Sequence, residues 1–489
     1  MAFVRRRGNQ LAIVAGERHP DTKQVEQRVL FTLFSREEAL AALGKGAPKG
    51  VGPSFDGLVE HAHPGVKFDW KAIRKAITAD LDHLPDTYEH KEARLLGRFE
   101  DELVAFARAV MLANPHQLAS AGVVIEQHRS ALEYLRELIA SRLEPAPAVD
   151  HDSWARDNAF YWRYRLQRNE VPTDIVEHAA GLWERRELGK AEGAFDLIGR
   201  CFPEDPETWN YLGLIALERK DLATAEGHFR ACIERGRRRL PRRVPRSSWW
   251  KDLATRPTMR GLRNLTLTLI RAGKYEEARA LADRLETECA DDLTAATHRA
   301  AIAMNTGEWK LAAESASRLT GLWPEEGVIE ALARFEMGQR FETLAPLIHA
   351  AITHPRATRI LLGLRAAEPR NGTEAADWNA GVHLSQTLHG YLARKDRAGR
   401  KLCAKVLEEE RVAKLVARAE DLRGRWFGHP GADRSVLDEL SRIEKREHAE
   451  ETARQVAFGL GIEAPREPAG QPPGRSRAPG RARASTTIH

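Results

Sequence analysis

Residues in the middle of this 489-residue chain recur at a spacing of 34 positions, and this spacing restricts the possible folds more than any other feature. Three pairs of residues follow it: Ala191 and Ala225, Phe195 and Phe229, and Ala278 and Ala312. A repeat of this length is typical of a helix–turn–helix unit, which cannot bury its apolar face alone and therefore stacks on its neighbours. The spacing predicts an array of helix pairs that works by holding another protein.

The sequence around Trp209 carries a fuller repeat signature. The residues that form it, in the pattern W-x-x-L-G followed by A-x-x-x-F, are Trp209, Leu212, Gly213, Ala225 and Phe229. This is the pattern of a tetratricopeptide (TPR) unit. Its register predicts a TPR-type helical solenoid over residues 172–356. The predicted parts are units at 172–205, 206–239, 259–292 and 293–326, a degenerate fifth unit at 325–356 and an insertion at 240–258.

The first helix of each TPR unit lines a concave groove, so the register also predicts a binding surface. The partner-binding residues predicted in this way are Trp183, Asn210, Leu214, Arg260, Arg263, Arg271, Met304 and Asn305. Two interpretations of the three arginines stay open. They could clamp an acidic peptide or a C-terminal carboxylate, which suits the geometry of arginine. Alternatively, they could pair with Glu207 and Glu218 of the chain itself or face water.

The insertion supports a second hypothesis about the partner. The run RGRRRLPRRVPR contains candidate phosphate-binding residues: Arg237, Arg238, Arg239, Arg242 and Arg243. Trp249 and Trp250 follow, and tryptophan can stack on a base beside phosphate-binding arginines. The alternative is that the two tryptophans pack on the flank of the solenoid as a docking clasp. Nucleic acid is therefore the second candidate partner, after an unidentified protein or peptide.

The N-terminal 43 residues predict the only β-structure of an otherwise mainly α chain. Residues 2–34 read as a small antiparallel β-meander with β-branched and apolar strands, and Gly8-Asn9 suits a tight hairpin turn. Ser35 and Glu38 have the spacing of a capping box, which predicts a short helix through residue 43.

The remaining segments predict the other domains. Apolar residues recur at three and four positions across residues 57–143, which indicates a helical domain. The segments then expected are a linker with an aromatic docking run at 144–171, further helices at 357–427 (one at 378–395 and one at 398–424), a charged helix at 428–458 that begins at Ser435, and a disordered basic tail at 459–489.

The sequence contains none of the common catalytic or nucleotide-binding motifs that we searched for. It has no nucleophile elbow, no Walker A loop and no H-E-x-x-H motif, so we expect no enzyme activity and no cofactor. The four cysteines lie far apart without C-x-x-C spacing, which argues against a metal site and fits a reducing cytosol. No apolar run approaches the roughly 18 residues that cross a bilayer. These features predict a cytoplasmic protein without membrane, metal or cofactor.

Several longer runs resemble an uncharacterised bacterial family of TPR proteins. They include MAFVRRRGNQLAIVAGER, NAFYWRYRLQ, NYLGLIALER, SSWWKDLATRPTMRGLRNL and HPRATRILLG, and they span residues 1–415. The resemblance implies the same architecture, but it supplies no activity and no active-site residues for this chain. The segment after about residue 428 falls outside it.

Overall fold

The computed structural model describes most of the chain. The described residues are 1–18, 25–44, 55–63, 65–86, 95–113, 118–143, 170–319, 324–394, 397–428 and 433–464. The structure is mainly helical, with 72% of it in helices and a small three-stranded antiparallel sheet at the N-terminus. The linker with its aromatic run and most of the basic tail lie outside the described residues. Across the described part, none of the helices is both long and apolar enough to cross a membrane.

The helices are numbered α1 to α22 in chain order. In the N-terminal half they are Arg36–Ala42, Phe55–Ala62, Trp70–Ala79, Leu95–Ala113, Leu118–Leu143, Thr173–Glu184, Leu188–Cys201, Pro206–Glu218, Leu222–Arg239, Arg256–Arg271 and Tyr275–Thr287. The remaining helices, α12 to α22, are Asp292–Thr306, Trp309–Ala316, Pro324–Glu336, Leu344–Thr353, Pro355–Leu361, Gly372–Thr387, His389–Leu392, Ala398–Glu408, Glu410–Gly428, Arg434–Ile443 and Arg446–Gly459.

These elements form two compact units. The first comprises the described residues of Met1–Gly307 together with Gln386–Leu392. The second comprises those of Glu308–Ser385 and Ala393–His489. The short segment Gln386–Leu392 therefore belongs to the first unit, although both of its flanks belong to the second.

The predicted meander is confirmed. Strands β1 (Ala2–Arg7), β2 (Gln10–Arg18) and β3 (Val25–Leu33) pair in the order β1-β2-β3, and both pairs are antiparallel. Gly8 takes a φ of 56° in the first turn, a conformation that glycine adopts without strain. Alternate residues such as Leu11 and Ile13 point into a core shared with α1 to α3.

The predicted cap of α1 is present with one difference. The Ser35 hydroxyl accepts a hydrogen bond from the N–H of Glu38 at 3.2 Å. The Glu38 carboxylate reaches back to the N–H of Phe34 at 2.8 Å, one residue before the expected one. Both side chains are buried, so the cap fixes α1 against the sheet.

The helix pairs of the first unit repeat their connecting turn at the predicted spacing. Four connecting turns contain a residue with positive φ: Arg186 (65°), Lys220 (64°), Gly273 (74°) and Gly307 (83°). Arg186 and Lys220 are 34 residues apart, and so are Gly273 and Gly307. In the first three turns, the next N–H donates to a carbonyl five residues earlier at 2.9 Å: Glu187 to Leu182, Asp221 to Ala216, and Lys274 to Leu269. This is a Schellman-type helix end, and its recurrence gives successive pairs the same turn.

Small residues let the paired helices approach closely. A β-carbon at Gly213 of α8 would lie 2.5 Å from the nearest ring atom of Phe229 in α9. Phe229, Ala225 and Cys232 of α9 are completely buried. The signature residues of the repeat therefore form the contact between α8 and α9, as their spacing predicts.

Two sequence predictions about the C-terminal helices are wrong. One helix was expected at residues 398–424, but Glu409 divides it, because its carboxylate accepts hydrogen bonds from the N–H groups of Arg411 (2.8 Å) and Val412 (3.2 Å) and starts α20. The charged helix is also two helices, α21 and α22. The first is capped by Asp433, whose carboxylate accepts from the N–H of Ser435, and not by Ser435 itself.

Candidate functional site

The candidate site is the side of α6, α8, α10 and α12 on which partner-binding residues were predicted; we refer to it as the predicted groove face. These four helices are the first members of successive pairs.

Arg260 and Arg263 both face carboxylates of the chain. Arg260 Nη1 lies 2.5 Å from Glu207 Oε1. Burial raises the pKa of the Glu207 carboxyl, and the nearby charge of Arg260 partly opposes this shift. Arg263 Nε lies 3.5 Å from the buried carboxylate of Asp291. Both arginines thus neutralise acids that belong to the first unit.

Arg271 is placed in a similar way, further along α10. Burial lowers the pKa of its guanidinium to about 10, and the charge of Glu218 favours the protonated form. Glu218 also accepts a hydrogen bond from Arg186 at 2.7 Å. The geometry therefore favours ion pairing of the three arginines with carboxylates of the chain itself. It gives less support to binding of an acidic peptide by these arginines.

The apolar and amide residues of the predicted groove face are largely buried. Asn210 is 2% exposed, and its Oδ1 accepts a hydrogen bond from Asn264 Nδ2 at 2.9 Å. Trp183 packs edge-on against Tyr211, with ring centroids 5.9 Å apart. Leu214 is half-buried. Met304 is completely buried, so it contributes to the core and offers no surface to a partner.

Asn305 makes the most informative contact of the site, because it binds main-chain atoms of a distant segment. Its Nδ2 donates to the carbonyl of Thr387 at 2.8 Å, and its Oδ1 accepts from the N–H of Tyr391 at 3.0 Å. These two groups would bond to each other in a continuous helix. The Asn305 amide thus bridges the point where α17 ends at Thr387 and α18 begins at His389.

Gly390 allows this close approach. A β-carbon at Gly390 would lie 3.0 Å from Asn305 Oδ1 and 3.0 Å from the hydroxyl oxygen of Tyr275, a residue of α11. A larger side chain at position 390 would require Asn305, Tyr275 or the segment itself to shift. Asn305 and the Tyr275 hydroxyl together form a site, which we call the seat, that holds a short polypeptide segment. The Asn305 amide bonds the main chain of the segment, and the space beside Tyr275 fits a glycine.

The comparisons with known proteins add nothing to this geometry: no protein-family model, no curated protein and no solved structure matches the chain.

The predicted phosphate-binding arginines of the insertion are mostly paired with acids. Arg238 contacts Glu204 at 3.1 Å and also pairs with Glu234. Arg239 Nη1 lies 3.7 Å from the buried carboxylate of Asp205. Arg237 pairs with Glu288 and lies over the ring of Trp249, 5.0 Å from its centroid. Three of the five candidates are therefore engaged within the first unit.

The two tryptophans of the insertion dock it on the helices. Trp249 is completely buried, and its carbonyl accepts a hydrogen bond from the hydroxyl of Thr255. Trp250 is about half exposed, and its indole N–H donates to the carbonyl of Ala290 at 3.3 Å. Arg242 and Arg243 are exposed and form no ion pair with any described residue. The docking interpretation of the tryptophans fits this geometry, and base stacking on Trp249 does not.

The structure describes all four cysteines, and each is a buried free thiol. Burial raises the pKa of Cys201 and of Cys403 to about 12, which makes both unreactive as nucleophiles. Within the part of the chain that the structure describes, no cluster of three or more His, Cys, Asp or Glu side chains could hold a metal ion.

Sequence reasoning missed the segment Gln386–Leu392 and the role of Asn264. The only local signal for the segment was a glycine inside a helical pattern, at Gly390, which commonly marks a close backbone approach or a break. Nothing in the sequence pairs this glycine with Asn305, because the two residues are 85 positions apart.

Proposed function

We propose that this chain is a TPR-type interaction scaffold and that the seat formed by Asn305, Tyr275 and the end of α12 captures polypeptide segments of a partner protein. The observation that carries the proposal is the pair of hydrogen bonds from the Asn305 side chain to main-chain groups of Thr387 and Tyr391. In the folded chain the seat is filled by the chain's own segment Gln386–Leu392. We expect a partner segment that binds the seat to resemble it in backbone conformation and sequence.

The chemistry of the seat defines the kind of partner. A carboxamide carries both N–H donors and an acceptor oxygen, so it can bind a main-chain carbonyl and a main-chain N–H without contacting a side chain. Selectivity then comes from shape, since a β-carbon at the position that faces Tyr275 would lie only 3.0 Å from its hydroxyl oxygen. The partner we propose therefore presents a short turn or broken helix with a glycine at that position, followed by an aromatic residue such as Tyr391.

Charge recognition plays a smaller part in this proposal than the sequence alone suggests. An acidic peptide would have to displace Glu207 from Arg260 and Asp291 from Arg263. Each displacement would leave a buried carboxylate without its partner, which is costly. Main-chain recognition at Asn305 displaces the chain's own segment Gln386–Leu392 and leaves both of these ion pairs intact.

A nucleic-acid partner is less well supported. Base stacking would need an accessible tryptophan, but Trp249 is buried. Of the five arginines proposed to contact phosphate, only Arg242 and Arg243 lack an acidic partner among the described residues. Binding through two phosphate contacts would be weak and would give a shallow salt dependence. We therefore expect no retention of the protein on DNA or RNA at about 50 mM salt, and tight, steeply salt-dependent retention would favour the nucleic-acid hypothesis instead.

The scaffold proposal is tested by supplying the segment from outside. The variant Gly390→Val should expel the chain's own segment from Asn305, since the added β-carbon alone lies within 3.0 Å of two polar atoms. A fluorescently labelled peptide with the sequence of residues 384–394 should then bind this variant, measured by anisotropy, and should bind the unaltered chain more weakly because the internal segment competes.

A pair of matched variants measures how much the Asn305 side-chain amide contributes to peptide affinity. Adding Asn305→Ala to Gly390→Val removes two hydrogen bonds of about 0.5–1.5 kcal/mol each, so the peptide affinity should fall roughly 5- to 150-fold. Thr297→Ala on the same helix should leave the affinity unchanged. Equal peptide binding with and without Asn305, or no binding to the Gly390→Val protein while it remains folded, would refute the proposal.

A further inference from the structure

A cavity in the second unit has the size of a small-molecule site. It has a volume of about 540 Å³ and lies between α16, the loop that follows it and α20. Sites for small ligands in proteins typically measure roughly 300–1,000 Å³. Nothing in the scaffold proposal uses this cavity.

The walls of the cavity are apolar and built from small side chains. They come from three helices and include Ala351, Leu407, Ala413, Val416 and Ala417. Short side chains leave the volume open, and the hydrocarbon side chains of these five residues favour contact with the aliphatic part of a ligand.

One end of the cavity carries a buried arginine. Arg356 is only 5% exposed, although it lines the cavity. Its terminal nitrogens contact Glu374 at 2.7 Å and Glu420 at 3.1 Å, while its Nε has no hydrogen-bond partner among the described atoms. Its charge is balanced by these two carboxylates, so Arg356 adds little net charge to the cavity.

Two further arginines line the same cavity and are exposed. Arg359 Nε donates to the carbonyl of Arg365 at 2.6 Å, which holds the two residues side by side. Neither guanidinium forms an ion pair with a described residue, in contrast to Arg356. The cavity therefore combines apolar walls with an unbalanced positive charge from two arginines.

We propose that this cavity binds a monocarboxylic acid with a short aliphatic chain. The carboxylate lies against Arg359 and Arg365, and the alkyl chain lies along the alanine-lined walls. Guanidinium groups match the planar geometry of a carboxylate. Glu420, which also lines the cavity, disfavours a doubly charged phosphate because it adds a like charge close to the anion.

Calorimetric titration of the full chain with octanoate tests this inference. We expect saturable binding of one octanoate per chain and affinities at least tenfold weaker for octan-1-ol and octyltrimethylammonium. A double variant, Arg359→Gln with Arg365→Gln, should weaken octanoate at least tenfold. Arg340→Gln, an exposed arginine of the same unit, should not change it.

A variant that fills the cavity provides a second test of octanoate binding. Ala417 is exposed on the cavity wall, so Ala417→Trp should fill the space without disturbing the core and should abolish octanoate binding. The inference is overturned if octanoate does not bind the unaltered chain, if octan-1-ol binds as tightly, if inorganic phosphate binds more tightly, or if the Ala417→Trp protein binds normally while its circular dichroism is unchanged.

Discussion

Replacing Gly213 by alanine tests whether the repeat signature packs the helices as described. The new β-carbon would lie 2.5, 2.7 and 2.8 Å from three ring atoms of Phe229. Phe229 is completely buried in α9, so its ring cannot move aside without displacing its neighbours. Either the ring or one of the two helices has to shift.

The expected magnitude follows from two opposing terms. Glycine in a helix interior is less favourable than alanine by about 1 kcal/mol, so the substitution gains that amount in helix propensity. Overpacking a well-packed core costs about 1–3 kcal/mol. Gly227 in α9 provides a control, because a β-carbon there meets no atom within 4 Å. The propensity term is common to both variants, so their difference measures the clash alone.

The assay is thermal unfolding of Gly213→Ala and Gly227→Ala followed by circular dichroism. We expect Gly227→Ala to melt at or above the temperature of the unaltered chain and Gly213→Ala to be less stable than Gly227→Ala by about 1–3 kcal/mol. Phe229→Leu should relieve the clash, so the two changes at positions 213 and 229 should be less destabilising together than the sum of their separate effects. Equal melting temperatures for the two alanine variants would show that the close helix contact is wrong.

Three further predictions concern buried groups. Burial lowers the pKa of His298 to about 3 from its ordinary 6.5, so the unfolded chain binds this proton first and stability falls as the pH decreases below 6.5. His298→Leu should reduce the stability lost between pH 7 and pH 5, measured by urea unfolding, by about 2 kcal/mol, and an unchanged pH dependence would contradict this. Trp249→Ala should destabilise the fold by about 3–5 kcal/mol in the same assay and Trp250→Ala by much less, whereas equal losses would count against the docking of the insertion. A thiol reagent at pH 8 should label none of the cysteines in the native protein and all four after denaturation, and rapid native labelling would mean that they are accessible: Cys201, Cys232, Cys289 and Cys403.

The local features of the fold could be predicted from the sequence because local chemistry determines them. The 34-residue spacing anticipates turns at Arg186 and Lys220, since the same position of each unit must take a positive φ to reverse the chain. The alternation of the strands likewise predicts the sheet. Two errors arose where an acidic side chain starts a helix: Glu409 divides a segment with a continuous helical pattern, and Asp433 caps a helix beside Ser435, which is an equally plausible cap residue.

The candidate site was less predictable because its contacts join distant parts of the chain. The repeat register places Arg260 on a surface, but it does not reveal that Glu207 lies 2.5 Å away. It places Met304 on the predicted groove face, although that side chain is completely buried. The partner of Asn305 is separated from it by more than 80 positions, and no sequence pattern relates them.

The most direct measurement of the central claim is the hydrogen-exchange rate of the Tyr391 amide in the intact chain. The account predicts slow exchange, because this N–H donates to Asn305 Oδ1, and much faster exchange in Asn305→Ala than in the Thr297→Ala control. If the Tyr391 amide exchanges at the same rate in both variants, the Asn305 side chain does not hold the polypeptide main chain, and the proposed capture site is wrong.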